Sequence, residues 1–185
     1  MLESQIDLSS YNHSFSLKNK ILRLLWNGTY FLFFRPFATR LFKKWRVLVL
    51  KCFGAKIEWS SHIYSSVKIW APWNLAIGEN SCLGPNVDCY NQGNITIGNN
   101  TVVSQKSYLC ASTHDYNQKN FPLILKPITI GNGVWIAADA FIGPSVIVGD
   151  DAIIAARSAV VKNVEKNTVV GGNPAKLIKN RLIGK

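Results

Sequence analysis

His114 stands in the stretch Ser112-Thr113-His114-Asp115-Tyr116, and it is one of three histidines in 185 residues. Imidazole is the side chain best suited to take and return a proton near neutral pH. A lone loop histidine would ordinarily be read as a solvated surface residue. His114 differs because it sits at the start of a polar stretch rich in Asn, Gln and Lys that interrupts an otherwise regular chain. His13 and His62 lie far upstream of it. The four cysteines, Cys52, Cys82, Cys89 and Cys110, are scattered and form no CxxC pair. Zinc is therefore not expected, and a reduced, cytosolic compartment is the default.

The regularity that the His114 stretch interrupts has a period of six. Ile57, Ile63, Ile69 and Leu75 form one set, and a two-residue step leads to Ile77, Leu83, Cys89 and Ile95. A second such step leads to Ile97, Val103 and Leu109, and after the interruption come Ile130, Ile136, Ile142, Val148, Ile154 and Val160. Of these 17 positions 16 are Ile, Leu or Val, although those types make up only 49 of 185 residues. The next residue is Gly, Ala or Ser at ten of the 17. Six is neither a helical nor an alternating-strand period. It fits short strands joined by tight corners, three to a triangular coil, with the branched residue pointing into the axis and the small one at the turn.

Coil lengths follow from the spacing. Ile57 to Ile77 and Ile77 to Ile97 are 20 residues each, Ile97 to Ile130 is 33, and Ile130 to Val148 and Val148 to Lys166 are 18 each. One coil thus carries a 13-residue excess over the two before it, and that excess contains His114. A long insertion in a repeat is usually functional. The expected organisation is an N-terminal arm over 1–56, a repeat domain over 57–171 with an extruded loop at 111–127, and a C-terminal tail over 172–185.

The arm holds ten Lys and Arg against two acids, a net of +8 out of the total of +11. Its cations are interleaved with Trp, Phe and Leu, as in Arg35-Pro36-Phe37 and Lys43-Lys44-Trp45-Arg46. Two readings stay open: a helix packing its apolar side on its own domain, or an amphipathic surface meeting anionic lipid. A groove binder of nucleic acid is not expected. The first residues are polar and acidic, unlike a signal peptide. The longest apolar run, Leu24 to Phe34, is shorter than the roughly 20 residues that span a bilayer.

Ala111-Ser-Thr-His-Asp-Tyr116, the run from Ile128 to Val161 containing Gly133-Val-Trp-Ile-Ala137, and Gly172-Asn-Pro-Ala-Lys176 together resemble the hexapeptide-repeat O-acetyltransferases. The similarity extends to the galactoside and maltose acetyltransferases, and nearer to those of colanic acid and exopolysaccharide synthesis. With the arm included, it covers nearly the whole chain. The resemblance implies an all-β fold, a left-handed parallel β-helix with an extruded loop, a mainly helical N-terminal arm and a short C-terminal tail. It implies acetyl-CoA as co-substrate, no metal, a sugar or glycan acceptor and a homotrimer with sites between subunits. His114 would be the general base of a direct transfer, oriented by Asp115 or by a backbone carbonyl. Asp88 and either Tyr90 or Asn91, with Asp115 beside them, would meet the acceptor. Trp135, Ala138 and Ala156 would flank the pantetheine arm, and Lys162, Lys176 and Lys179 would meet the phosphates. Arg157 departs from the family by standing where a glycine is usual, and is a further phosphate candidate. The location implied is cytoplasmic, with peripheral attachment of the arm to the inner face of the membrane as the lipid reading.

Other proteins of this fold fit less well. A γ-class carbonic anhydrase needs three zinc-binding histidines on adjacent coil faces, which His13, His62 and His114 are too far apart to supply. A nucleotidyltransferase would need a nucleotide-binding domain with a Gly-rich phosphate loop, which 56 residues cannot hold. A serine acetyltransferase would carry a large helical domain at the N-terminus. A flat ice-facing or purely binding scaffold would want a ladder of identical outward residues, and the outward residues here are irregular.

Overall fold

A computed structural model describes residues 6–9, 11 and 15–184; His13 lies outside them. From Lys56 the chain winds into a parallel β-helix with three faces. The first face stacks strands at Lys56–Ile57, Leu75–Ile77, Ile95–Ile97, Ile128–Ile130 and Ile147–Val148. The second runs from His62–Ile63 through Trp135–Ile136 to Ile153–Ile154, and the third from Lys68–Ile69 through Tyr108–Cys110 to Ala159–Val160. Ile57, Ile77, Ile97, Ile130 and Val148 lie directly under one another, so the coil resumes in phase after the insertion. All five are buried, as are their counterparts on the other faces. Each such side chain contributes roughly 1.5–3 kcal/mol when fully buried.

Two local rules explain the sequence pattern at the corners. The third residue after an inward residue adopts a left-handed conformation, as at Asn80 (φ 54°), Asn100 (φ 53°), Asp139 (φ 58°) and Asp151 (φ 57°). Asn, Asp and Gly tolerate this region best. On the first face the residue directly after the inward one is glycine in the middle coils because a side chain of the next coil occupies that space. Asn99 Oδ1 accepts from Glu79 N (2.7 Å), Asn132 Oδ1 from Asn99 N (2.8 Å) and Asp150 Oδ1 from Asn132 N (2.6 Å). A Cβ on Gly78, Gly98 or Gly131 would collide with that same oxygen.

The last coil differs from the spacing expected for it. Val164, not Lys166, lies opposite Val148, and Val170 lies opposite Ile154. The final coil is therefore 16 residues (148 to 164, 154 to 170) rather than 18. The reason is physical: an unpaired ammonium in the axis would be desolvated without compensation, and the four-residue corner after Val160 supplies a buried valine instead. The tail then folds back, Ala175–Asn180 pairing antiparallel with Thr168–Gly172 to extend the second face.

The arm caps the other end. It contains helix α1 (Leu17–Thr29), a wide turn at Tyr30–Phe34 and helix α2 (Lys43–Cys52). In the stack, each N–H of one coil donates to a carbonyl of the next, as Glu58 N does to Ile77 O (3.0 Å) and Gly78 N to Ile97 O (2.9 Å). The carbonyls of the first coil have no coil above them. Side chains of the arm supply the donors: Lys51 Nζ to Ile57 O (2.8 Å), Arg46 Nε to Ile63 O (2.7 Å) and Trp26 Nε1 to Ile69 O (2.7 Å). These are the inward residues of all three faces. Trp26, Phe34, Val47 and Leu50 close the apolar column beneath. Arg46 is 1% exposed, and its Nη1 also donates to the carbonyls of Phe37 and Thr39. Part of the arm's positive charge is thus structural.

Candidate active site

The insertion leaves the coil where the third face turns into the first, here called the third edge. It folds as an antiparallel hairpin in which Ser112 pairs with Leu125, Thr113 with Ile124 and His114 with Leu123. Asp115 closes the turn, its two carboxylate oxygens accepting from Asn117 N and Gln118 Nε2 (3.0 Å each). Phe121 has a φ of 44°, a conformation costly for a bulky side chain. That twist brings its carbonyl to His114 Nδ1 at 2.6 Å. Since the carbonyl can only accept, Nδ1 carries the proton and Nε2 keeps its lone pair. His114 is exposed and lines a cavity of about 480 Å³ with Leu8, Tyr11, Tyr116 and Phe121. The N-terminal segment reaches this loop through Asp7 N, which donates to Lys119 O (2.9 Å), and the Tyr11 ring lies 6.0 Å from that of His114.

Two alternatives left open by the sequence narrow here. Asp115 does not orient His114, because its carboxylate serves its own turn; the Phe121 carbonyl does. Asn91 is 0% exposed, with Oδ1 accepting from Trp70 N (3.0 Å) and Ala71 N (3.1 Å) and Nδ2 donating to Ala71 O. Its carboxamide ties two coils together and has no face for an acceptor. Tyr90, its neighbour, points outward from the same edge, and its hydroxyl accepts from Gln92 Nε2 at 2.9 Å. Burial pushes the Tyr90 phenol above its ordinary range, aided by Cys110 and opposed by Arg23. Asp88, on the same strand, pairs with Lys68 at 3.9 Å. Burial raises its carboxyl and Lys68 works the other way.

The remaining candidates lie apart from this cluster. Ala138 and Ala156 stack at the corner between the second and third faces, where Arg157 N donates to Ala138 O (2.9 Å). Arg157 has a φ of 58°, which accounts for the glycine usual there, and its exposed side chain lies 3.8 Å from Asp139. Trp135 stands exposed on the second face, with Nε1 donating to Ser104 Oγ (3.0 Å). Lys162 is exposed on the short corner of the last coil, on the third edge, and Lys176 and Lys179 are exposed on the terminal strand. The third face separates the alanine corner from the edge that carries His114. Tyr11 and Phe121 were not among the expected residues. Nothing marks either of them in the sequence, since one lies in the arm and the other acts through its backbone.

A three-faced β-helix with a histidine held on an extruded loop defines the hexapeptide acyltransferase class. The comparisons carry this further. Residues 127–162 match the bacterial transferase hexapeptide (six repeats) family. Over 139 residues the chain is 44% identical to WcaF of Escherichia coli K12, whose name assigns it to colanic acid biosynthesis as an acetyltransferase; the match covers 75% of this chain and 76% of WcaF. It is 34% identical to the galactoside O-acetyltransferase of the same organism over 109 residues, 57% of this chain and 54% of that one. Among solved structures, a galactoside acetyltransferase in complex with coenzyme A superposes with a TM-score of 0.79 at 25% identity, covering 91% of this chain and 84% of that one. The chain belongs to the hexapeptide-repeat acetyltransferase family and is an acyltransferase, its fold the left-handed parallel β-helix.

Proposed function

We propose that this enzyme moves an acetyl group from acetyl-CoA to a hydroxyl of a sugar unit during synthesis of an exopolysaccharide or other surface polysaccharide. The observation that carries this reading is the His114 Nδ1 contact with the Phe121 carbonyl, which leaves Nε2 free to act at the cavity. The names of WcaF and the galactoside acetyltransferase support the acetyl donor and the sugar acceptor. In the transfer, Nε2 takes the hydroxyl proton as the acceptor oxygen bonds to the thioester carbonyl carbon. The tetrahedral adduct collapses, the C–S bond breaks, and the imidazolium returns the proton to the departing thiolate. No covalent acyl-enzyme forms. Tyr90, Asp88 and Asp115 flank the acceptor. Trp135, Ala138 and Ala156 fit the slender pantetheine arm, and Arg157, Lys162, Lys176 and Lys179 fit the phosphates.

The alanine corner and the His114 edge lie on opposite sides of the third face, which favours a site completed by a second chain. A homotrimer with three sites is the assembly proposed. Leu17, Leu24, Phe31, Leu32 and Leu41 of the arm are exposed apolar residues among Lys18, Lys20, Arg35 and Lys44. No described helix is long and apolar enough to cross a membrane. This surface suits peripheral contact with anionic lipid on the cytoplasmic face, weakened by salt.

The deciding experiment is a mass-spectrometric acceptor screen of the full chain with acetyl-CoA, reading a 42 Da gain (the mass of an added acetyl, about 42 by stoichiometry of the transfer) on sugars against amino sugars and antibiotics. Acetylation of non-sugar acceptors only would overturn the acceptor reading. A sedimentation mass near three times 20.6 kDa is expected, and a mass of one chain would remove the shared site.

A further inference from the structure

Beside Tyr90 a second hollow of about 320 Å³ opens between helix α1 and the third edge of the first two coils. Its polar lining is Asn19, Lys20, Arg23, Tyr90 and Gln92, with Lys20 exposed at its rim, and its aromatic wall is Trp70 with Phe15. The Arg23 guanidinium lies over the Trp70 ring, 3.8 Å from its centroid, and the Phe15 ring is 4.9 Å from that of Trp70.

What distinguishes this hollow is a set of buried atoms without partners. Arg23 Nε, Asn19 Oδ1 and Gln92 Oε1 are shielded from water and make no hydrogen bond. Gln92 lines the hollow and as a whole is only 6% exposed; its amide nitrogen is held by the Tyr90 hydroxyl (2.9 Å), while its oxygen has no partner. Buried polar groups are nearly always satisfied in a folded chain, so three orphans in one place ask for a ligand. Arg46, the other arginine of the arm set against the first coil, shows the contrast: its nitrogens donate to three carbonyls. Among the described residues no carboxylate lies within ion-pair distance of Arg23. Burial pushes its guanidinium down from the usual value.

The chemistry of the lining selects the ligand class. Arg23 can only donate, and it is charged. The Tyr90 oxygen already accepts from Gln92, so its O–H is free to donate. The Asn19 and Gln92 oxygens can only accept. An apolar group would leave every one of these atoms unsatisfied, and a cation would meet Arg23. A ligand with hydroxyls for the two amide oxygens and an anionic group for the guanidinium satisfies the whole set.

We propose that the hollow lined by Asn19, Arg23, Tyr90 and Gln92 is a subsite for a sugar unit bearing a carboxylate or a phosphate, next to the unit whose hydroxyl His114 deprotonates. It rests on the acceptor reading above in one respect, the placement of Tyr90 beside the acceptor. Tyr11 connects the two cavities, lying 6.0 Å from the His114 ring and close enough to the Tyr90 phenol to raise it.

Isothermal titration of the full chain without acetyl-CoA tests the subsite apart from transfer. The probes are glucuronic acid, glucose 6-phosphate, glucose and inorganic phosphate. One or both charged sugars should bind roughly tenfold or more tighter than glucose and than phosphate alone, as expected for a charge-assisted bidentate contact. The stronger of the two charged sugars identifies the source of the anion. Arg23→Gln should abolish the preference and Arg23→Lys should keep only part of it. Asn19→Leu, which leaves the guanidinium in place, should weaken both charged sugars without restoring parity with glucose. His114→Ala should bind them as the parent does. Equal affinity for charged and neutral sugars, or phosphate binding as tightly as the sugar phosphate, overturns the proposal. If neutral sugars are acetylated while no charged sugar is preferred, the subsite falls and the acetyl-transfer reading stands. If Arg23-dependent binding is found without acetylation of any sugar, the subsite stands and that reading falls.

Discussion

The axis of this β-helix and its third edge follow opposite rules. Across the first and second edges the six-residue step holds in every coil, and the inward residue is Ile, Leu or Val at all but one of the positions in the repeat. At the third edge the step fails in four of five coils. Two residues are added after Ile69 and two after Cys89, the hairpin enters after Leu109, and two are lost after Val160. The other two edges carry no such change. A corner residue contributes no rung to the column, so length can vary there without shifting the register of any coil below. Trp70, Tyr90, Gln92, His114 and Lys162 all lie on the variable edge. The chain has concentrated its irregularity, and with it the residues able to do chemistry, where the stack tolerates it.

The largest effect should come from carrying chemistry into the axis. Ile142 is fully buried between Leu109 and Val160. Ile142→Asp places a carboxylate there with no partner, and no folded protein is expected. Ile142→Ala should cost about 2–5 kcal/mol in denaturant unfolding. A stable, soluble Ile142→Asp would mean that the axis is not the dry column described. Next is the cap. Arg46→Met keeps the bulk and leaves the Ile63, Phe37 and Thr39 carbonyls without their donor, for a loss of roughly 3 kcal/mol in the same measurement. An unchanged midpoint would show that the arm merely lies on the first coil.

On the edge the expectation reverses. His114→Ala should lower turnover by roughly 10² or more, as loss of a general base does, while the melting temperature stays at the parent value. Loss of activity together with loss of stability would erase the distinction between the two regions. Unchanged turnover would take His114 out of the reaction.

The same contrast governs what could be read from the sequence. The column was legible because an inward position has one requirement, an apolar side chain of the right size, repeated until chance is excluded. The last step departs from the spacing because the corner after Val160 is set by the side chain it delivers to the axis, and Val164 meets that requirement where Lys166 does not. His114 was legible because an insertion broke a period. Its orienting group was not, since the Phe121 carbonyl exists at every residue and only the backbone twist aims it. The choice between Tyr90 and Asn91 needed the coil above, because Asn91 is held by Trp70 and Ala71, 21 and 20 residues earlier. The arm's cations looked like surface charge. That Arg46, Lys51 and Lys43 reach carbonyls of the first coil leaves no trace in composition.

The seam between arm and axis offers the smallest effect and a test of sign. His62 stands on the first coil, its ring 4.6 Å from that of Tyr64. Burial lowers its pKa from the ordinary 6.5, and Arg46, Lys43 and Arg40 lower it further. The fold therefore favours the neutral imidazole. Above about pH 6.5 both folded and unfolded chains hold His62 neutral, and it contributes no pH dependence. As pH falls through that value the unfolded chain takes up a proton that the folded chain still refuses, so stability declines with falling pH until the lowered pKa is passed. His62→Gln removes the titration. Melting temperatures of parent and variant, compared at successive pH values below neutrality, should fall less steeply for the variant. Parallel curves would mean that His62 is neither buried nor beside the arm's cations in solution, and that the cap opens more readily than its hydrogen bonds imply.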